Sequence, residues 1–220
     1  MLAQKIKDQS LYLTPTPAGA YFSVSGTEES PARQFLQKLL AQKEGLQLSA
    51  EDLLEHMPVD SEEDALTMLT HMQKLGWVQG LETPLNAPEG QLEAILPDIL
   101  SQLSVSGKAL LADEQGFYIS SSGFPHETAE ELSGLSASLA TLHERYQGVL
   151  KNNLGEGSSA WGLVDAAGNS QVGFWPLFIG DYRFALVIGG QPQMNRPALI
   201  LLVCCLLYTS DAADEHRDVG

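Results

Sequence analysis

Two Asp-x-x-Gly tetrads, Asp113–Gly116 and Asp165–Gly168, each stand between short apolar runs. An aspartate at the head of such a tetrad accepts hydrogen bonds from backbone N–H groups two residues on, and the glycine takes the positive φ that closes a bulged hairpin. Each tetrad therefore predicts a tight antiparallel hairpin. The first joins a strand over 108–112 to one over 117–121. The second joins Trp161–Val164 to a strand over 170–178. A further strand is expected over 182–188. Two hairpins and a partner strand commit this half of the chain to an antiparallel sheet. The same chemistry makes Asp113, Gly116, Asp165 and Gly168 structural turn residues. A catalytic carboxylate pair would need the two hairpin tips to converge, and nothing in the sequence brings them together.

Between the hairpins, residues 126–150 read as a long amphipathic helix, with Leu132, Leu135, Leu139, Leu142 and Tyr146 at spacings of three and four. A shorter helical stripe precedes the first strand (Leu92, Ile95, Leu96, Ile99, Leu100, Leu103), kinked or restarted at Pro97. A final helix begins at Pro197 and runs to Val203. The expected strand around Val172, Phe174 and Trp175 carries more apolar surface than a one-sided sheet needs. As an edge strand it would invite pairing with a second copy, so Val172, Phe174, Trp175, Leu135, Leu139 and Leu142 are the candidate interface residues.

The N-terminal part is of another kind. Residues 11–25 look extended around a Thr-Pro-Thr-Pro turn. Ser30 with Pro31 opens a helix carrying Phe35, Leu36, Leu39 and Leu40 on one face. Ser49 opens a second, with Leu53, Leu54 and Met57 inward. A third starts at Asp60 or Ser61, buries Ala65, Leu66, Leu69, Met72 and Leu75, and stops at Gly76 before a strand over 77–81. Three short helices and a strand look like a winged helix. Thr83–Gly90, with two prolines and a glycine, reads as the linker. The chain thus divides into a winged-helix-like module over 1–82, a linker over 83–90 and a second domain over 91–204.

Charge decides against the winged helix's usual partner. The chain carries 28 acidic and 12 basic residues, a formal charge of −16. Residues 1–90 alone hold six bases against thirteen acids. A surface of that sign repels a phosphate backbone, so no nucleic-acid partner is expected. An acidic winged-helix regulator associated with transcription is the alternative function, and the charge disfavours it. No apolar run approaches the ~18 residues of a membrane span, and no secretory leader is visible. Two adjacent cysteines, Cys204 and Cys205, exclude a disulfide scaffold and fit a reducing cytoplasm.

Enzymatic signatures are missing. There is no GxxxxGK[ST] phosphate loop, so the chain is not expected to be a GTPase itself. Gly155-Glu156-Gly157 belongs to no GxGxxG. His126-Glu127 lacks the second histidine of HExxH, and its place at a helix start suits capping. Ser120-Ser121-Ser122-Gly123 reads as a strand end entering a helix rather than a nucleophile. Arg145 and Arg183 read as surface counter-ions rather than arginine fingers. No catalytic, cofactor-binding or metal-ligating residue is assigned, and no cofactor.

The segment LLADEQGFYISSSGF (110–124), followed by TAEELSGLSASLATL (128–142), resembles the most recognisable part of the roadblock / dynein light chain family: strand, Asp-x-x-Gly turn, strand ending in Ser-Gly, then the long helix. The element order over 91–203 is also that family's. The resemblance implies an α+β fold, a five-stranded antiparallel sheet with helices on both faces, preceded here by the small, mostly helical module as an N-terminal extension of a bacterial branch. It also implies a homodimer that regulates or scaffolds a small Ras-like GTPase without enzymatic activity of its own. A second resemblance concerns the end of the chain. CLLYTSDAADE (205–215) is similar, letter for letter, to the translation of a transposon-based sequencing adapter. Residues 205–220 are therefore expected to be a non-native tail that packs against nothing, with the last helix truncated.

Overall fold

The computed structural model describes residues 11–42, 45–47, 49–85, 90–154 and 157–215. Part of the expected linker (86–89), Gly155, Glu156 and the last five residues lie outside that set. The chain divides into two compact units, one of Met1–Glu89 with Leu199–Gly220 and one of Gly90–Ala198.

In the first unit, β1 (Tyr12–Pro15) lies between β2 (Leu46–Gln47) and β3 (Val78–Leu81) in an antiparallel sheet. Four helices accompany it: α1 (Pro17–Val24), α2 (Pro31–Ala41), α3 (Ala50–His56) and α4 (Glu62–Lys74). The expected extended run over 11–25 is overturned beyond Pro15. Thr16 caps a helix through its Oγ1, which accepts from the Gly19 N–H at 3.1 Å, and Pro17 supplies the φ of a first helical position. Caps at Ser30 and Ser61 form as expected, accepting from the N–H groups of Arg33 (3.2 Å) and Asp64 (3.1 Å). Phe35, Leu36, Leu53, Ala65, Leu69, Met72 and Val78 form the core. Leu54 and Leu75 fall outside the buried face assigned to them; Leu75 caps the C-terminus of α4, where the helical face has ended.

Polar side chains of α2 satisfy the end of α1. Arg33 donates to the Phe22 carbonyl and lies 4.7 Å above the Phe22 ring, which stacks at 3.8 Å on Trp77. Gln37 Nε2 donates to the Ser23 carbonyl at 2.9 Å. These bonds take up carbonyls that a helix end leaves without intrahelical partners.

The second unit holds α5 (Leu92–Ser101), β4 (Ala109–Ala112), β5 (Tyr118–Ser122), α6 (His126–Leu154), β6 (Trp161–Val164), β7 (Ser170–Ile179) and β8 (Tyr182–Gly189). Its sheet is five-stranded and antiparallel throughout, in the order β5-β4-β8-β7-β6. This is the α+β class and the sheet expected. Pro97 sits inside a continuous α5. Leu110, Ala112, Phe174 and Val187 pack with Ala129, Leu132 and Leu139 of α6. Ala109, Leu111, Leu186 and Ile188 alternate to the opposite face and are buried as well, so the central strands have no solvated side.

α7 (Pro197–Glu215) ends the described chain. From sequence the second domain runs to residue 204; in the structure the chain from Leu199 onward groups with the first unit. The expectation of an unpacked tail also fails at its start. Cys205, Leu206 and Leu207 are buried like Leu199, Leu202 and Val203 before them, and exposure begins at Tyr208 (45%). Cys-Leu-Leu continues the apolar run without a break, and a helix apolar on every side must be enclosed. Burial pushes the Cys204 thiol up to about 12. No helix among the described residues is long and apolar enough to cross a membrane.

Candidate interaction surface

The two hairpin tips show what the aspartates do. Asp113 Oδ1 accepts from the N–H groups of Gln115 (3.0 Å) and Phe117 (2.9 Å). Asp165 Oδ1 accepts from Ala167 and Asn169, both at 2.9 Å, and its Oδ2 from the side-chain amides of Asn169 (3.1 Å) and Gln171 (3.2 Å). Gly116 (φ 91°) and Gly168 (φ 84°) close the turns. Gly116 also lies close against α6, where a Cβ would stand 3.2 Å from Gly134 Cα and 3.3 Å from Ala137 Cβ. The hairpins occupy opposite edges of the sheet, β4–β5 at one and β6–β7 at the other.

Donation from Asn169, by its backbone N–H first and then its side chain, holds the Asp165 carboxyl below the usual carboxylate range, with smaller help from Ala167 and Gly168. A carboxyl depressed in the folded state stabilises it above the unfolded pKa, and that contribution is lost as pH falls through the folded value. The Asp165 carboxyl carbon should therefore titrate below ordinary exposed aspartates in carbon NMR. Asn169→Ala, which removes the side-chain donor and keeps the backbone one, should bring it part of the way back. An Asp165 midpoint at or above the ordinary value would contradict this account of the turn.

The structure divides the six candidate interface residues. Phe174 is buried beneath α6, and Val172 and Leu139 pack against the same cluster. The expectation that their strand is an edge is overturned, because β7 lies between β8 and β6. No local cue announces this: strand order is a long-range property, set here by the pairing of Trp161 with Phe174 and Leu163 with Val172. β6 is short, however, and pairs β7 only as far as Phe174. From Trp175 to Ile179, β7 pairs with β8 and, among the described residues, with no second strand. Pro176, which has no N–H to give, stands in that one-sided stretch. Trp175 is half-buried, its ring lying where a Cβ on Gly173 would be.

Leu135 and Leu142 do lie outside. At ~100° per residue, they fall with Tyr146 and Val149 in an arc of about 60°, beside the arc of Ala129, Leu132, Ser133, Ser136 and Leu139 that faces the sheet. These four side chains are between 39% and 50% exposed. The single stripe legible in sequence is thus two adjacent rows, one spent on the sheet and one left over. β6, an edge of the sheet, adds Leu163 and Val164, exposed at 61% and 56%. Val149, Leu163 and Val164 were not singled out from sequence, where each reads as an ordinary helix or strand residue. Their exposure is a matter of tertiary packing: among the described residues no element covers them.

α6 and β6 are joined by the Trp161 indole, whose Nε1 donates to His143 Nδ1 at 3.3 Å. Arg183 of β8 is ion-paired with Glu144, as a counter-ion role requires, and Arg145 is exposed. The cleft between α6 and the sheet, bounded by Leu139, Trp161, Phe174, Pro176 and Arg183, holds ≈ 30 Å³. That is room for about two waters. Among the described residues no group of three or more His, Cys, Asp or Glu side chains is placed to hold a metal ion.

No family model matches the sequence, and no curated protein matches it significantly. Among solved structures, the chain is similar to a Roadblock/LC7 domain from Streptomyces avermitilis, with 13% identity over 58% of this chain and 99% of that one, at a TM-score of 0.36. It is similar to Myxococcus xanthus MglB, with 17% identity over 56% of this chain and 95% of that one, at a TM-score of 0.34. The gliding protein MglB of Thermus thermophilus gives 17% identity over 56% and 93%, at a TM-score of 0.34.

Proposed function

We propose that the Gly90–Ala198 unit is a contact module without enzymatic activity, that it pairs with a second copy of itself, and that the pair regulates or scaffolds a small Ras-like GTPase. The observation that carries the pairing is the second apolar row of α6, Leu135, Leu142, Tyr146 and Val149, together with the exposed Leu163 and Val164 of β6. A helix needs one apolar face to dock on its own sheet; an additional row stays in water unless something else covers it. A second copy offers the same row and the same strand edge, and two-fold symmetry lets each cover the other. The GTPase assignment rests on the roadblock-like run of residues 110–142, and the missing phosphate loop gives the nucleotide-binding role to the partner. Any effect on nucleotide then acts through the partner's switch segments.

The chain should sediment as a dimer at micromolar concentration. Leu135→Glu with Leu142→Glu should leave its circular dichroism unchanged and weaken pairing about 100-fold, since full burial of a leucine contributes about 1.5–3 kcal/mol and pairing covers the exposed part, 46% and 39%, of these two in each copy. Small Ras-like GTPases loaded with a fluorescent GTP analogue should bind the wild-type chain and lose affinity for the double variant. A monomeric wild type removes the pairing, and GTP turnover by the purified chain alone removes the division of labour.

A further inference from the structure

α6 is tied to both edge strands of its sheet by histidines, and the two ties differ in chemistry. At its first residue, His126 Nδ1 meets the Tyr118 hydroxyl of β5 at 2.6 Å, while Nε2 lies 3.4 Å from Glu130. Farther along, His143 Nδ1 accepts from the Trp161 indole of β6 at 3.3 Å. A phenol both donates and accepts, so the first tie survives protonation of its imidazole. An indole N–H only donates. The second tie therefore exists only while His143 is neutral at Nδ1. In the imidazolium both ring nitrogens carry protons, and two donors then face each other. The rings stand edge-on, at 86° with centroids 6.3 Å apart, so the indole directs its N–H rather than its face toward the imidazole. Cation–π attraction, which needs the ring face, does not replace the lost bond.

We propose that protonation of His143 releases the β6 edge from α6, so that the surface these two elements form is held together at neutral pH and loosened in acid. β6 and β7 bring no titratable side chain to the site. Among the described residues, the charged and titratable groups around it include Glu144, Arg145 and Tyr146 on α6 itself, Arg183 of β8 in its ion pair with Glu144, and Asp113 and Glu114, which line the adjoining cleft. Histidine is the side chain that ordinarily changes charge between about pH 5 and 8. The consequence for self-pairing rests on the reading above, whereas the release itself takes place within one chain.

The test is NMR of the full chain between about pH 8 and pH 5. The Trp161 indole cross-peak, assigned by its loss in Trp161→Phe, should move upfield as the bond breaks. Protection factors of the β6–β7 ladder amides, corrected for intrinsic exchange, should fall about fivefold, the equilibrium worth of one hydrogen bond. His143→Gln presents an amide oxygen that accepts at every pH; it should keep the protection and abolish its pH dependence. Trp161→Phe should show the lowered protection already at pH 8. A flat wild-type indole shift, or a His143→Gln chain that titrates like wild type, overturns the proposal. Sedimentation of the same samples separates the two readings. A monomer with the indole transition keeps the release and loses the pairing, and a dimer without it does the reverse.

Discussion

Gly19→Ala destabilises the N-terminal unit by about 3 kcal/mol, at the upper end of overpacking costs. In an ordinary helix interior the same change stabilises by about 1 kcal/mol, so the expected sign is reversed. A Cβ on Gly19 would stand 2.0 Å from the Trp77 carbonyl oxygen and 2.9 Å from its carbon. That carbonyl cannot swing away cheaply. It accepts from the Thr16 N–H at 2.9 Å, the Trp77 N–H donates to Met72 at 2.9 Å, and the Trp77 ring is stacked on Phe22. Glycine at this helix position is what lets α1 lie against the start of β3. Amides of β1 and β3 should lose about two orders of magnitude of exchange protection, since each 1.4 kcal/mol is tenfold. Protection that holds or rises would show that the backbone at Trp77 yields.

The second large effect belongs to Gly123, between β5 and α6. Its φ is 69°, and a Cβ there would stand 2.6 Å from the Gly107 carbonyl oxygen. An alanine meets two costs at once, the left-handed backbone at roughly 1 kcal/mol or more and the backbone clash at about 1–3 kcal/mol. Gly123→Ala should therefore lower the thermal midpoint of the second unit strongly. Ser121→Ala and Ser122→Ala in the same run should change stability by only about 0.5 kcal/mol. Those three melts compare the serines with the glycine directly. A Gly123→Ala chain that melts with the serine variants would leave the tight approach at Gly107 without energetic weight.

What the sequence could tell about this protein was whatever local chemistry decides. Asp113 and Asp165 announce their turns because an aspartate side chain and the N–H groups two and four residues on suffice to make them. The strands flanking those turns, the caps at Ser30 and Ser61 and the start of α6 at His126 follow from equally local rules, whereas α6 runs to Leu154, four residues beyond the expected end. α1 was locally encoded too, in Thr16 and Pro17, but its Thr-Pro-Thr-Pro start also reads as a turn. The rest needed the tertiary structure. Whether Val172 and Phe174 lie at an edge depends on which strand pairs beside them, and β6 supplies that pairing only as far as Phe174. Whether Leu139 is core and Leu142 surface depends on how α6 is rotated over the sheet. A spacing of three and four is blind to that angle, because it defines a face without saying what lies opposite. Periodicity therefore gave the helix, and only the packing of α6 on β4 and β8 separated the row that completes the fold from the row that stays exposed.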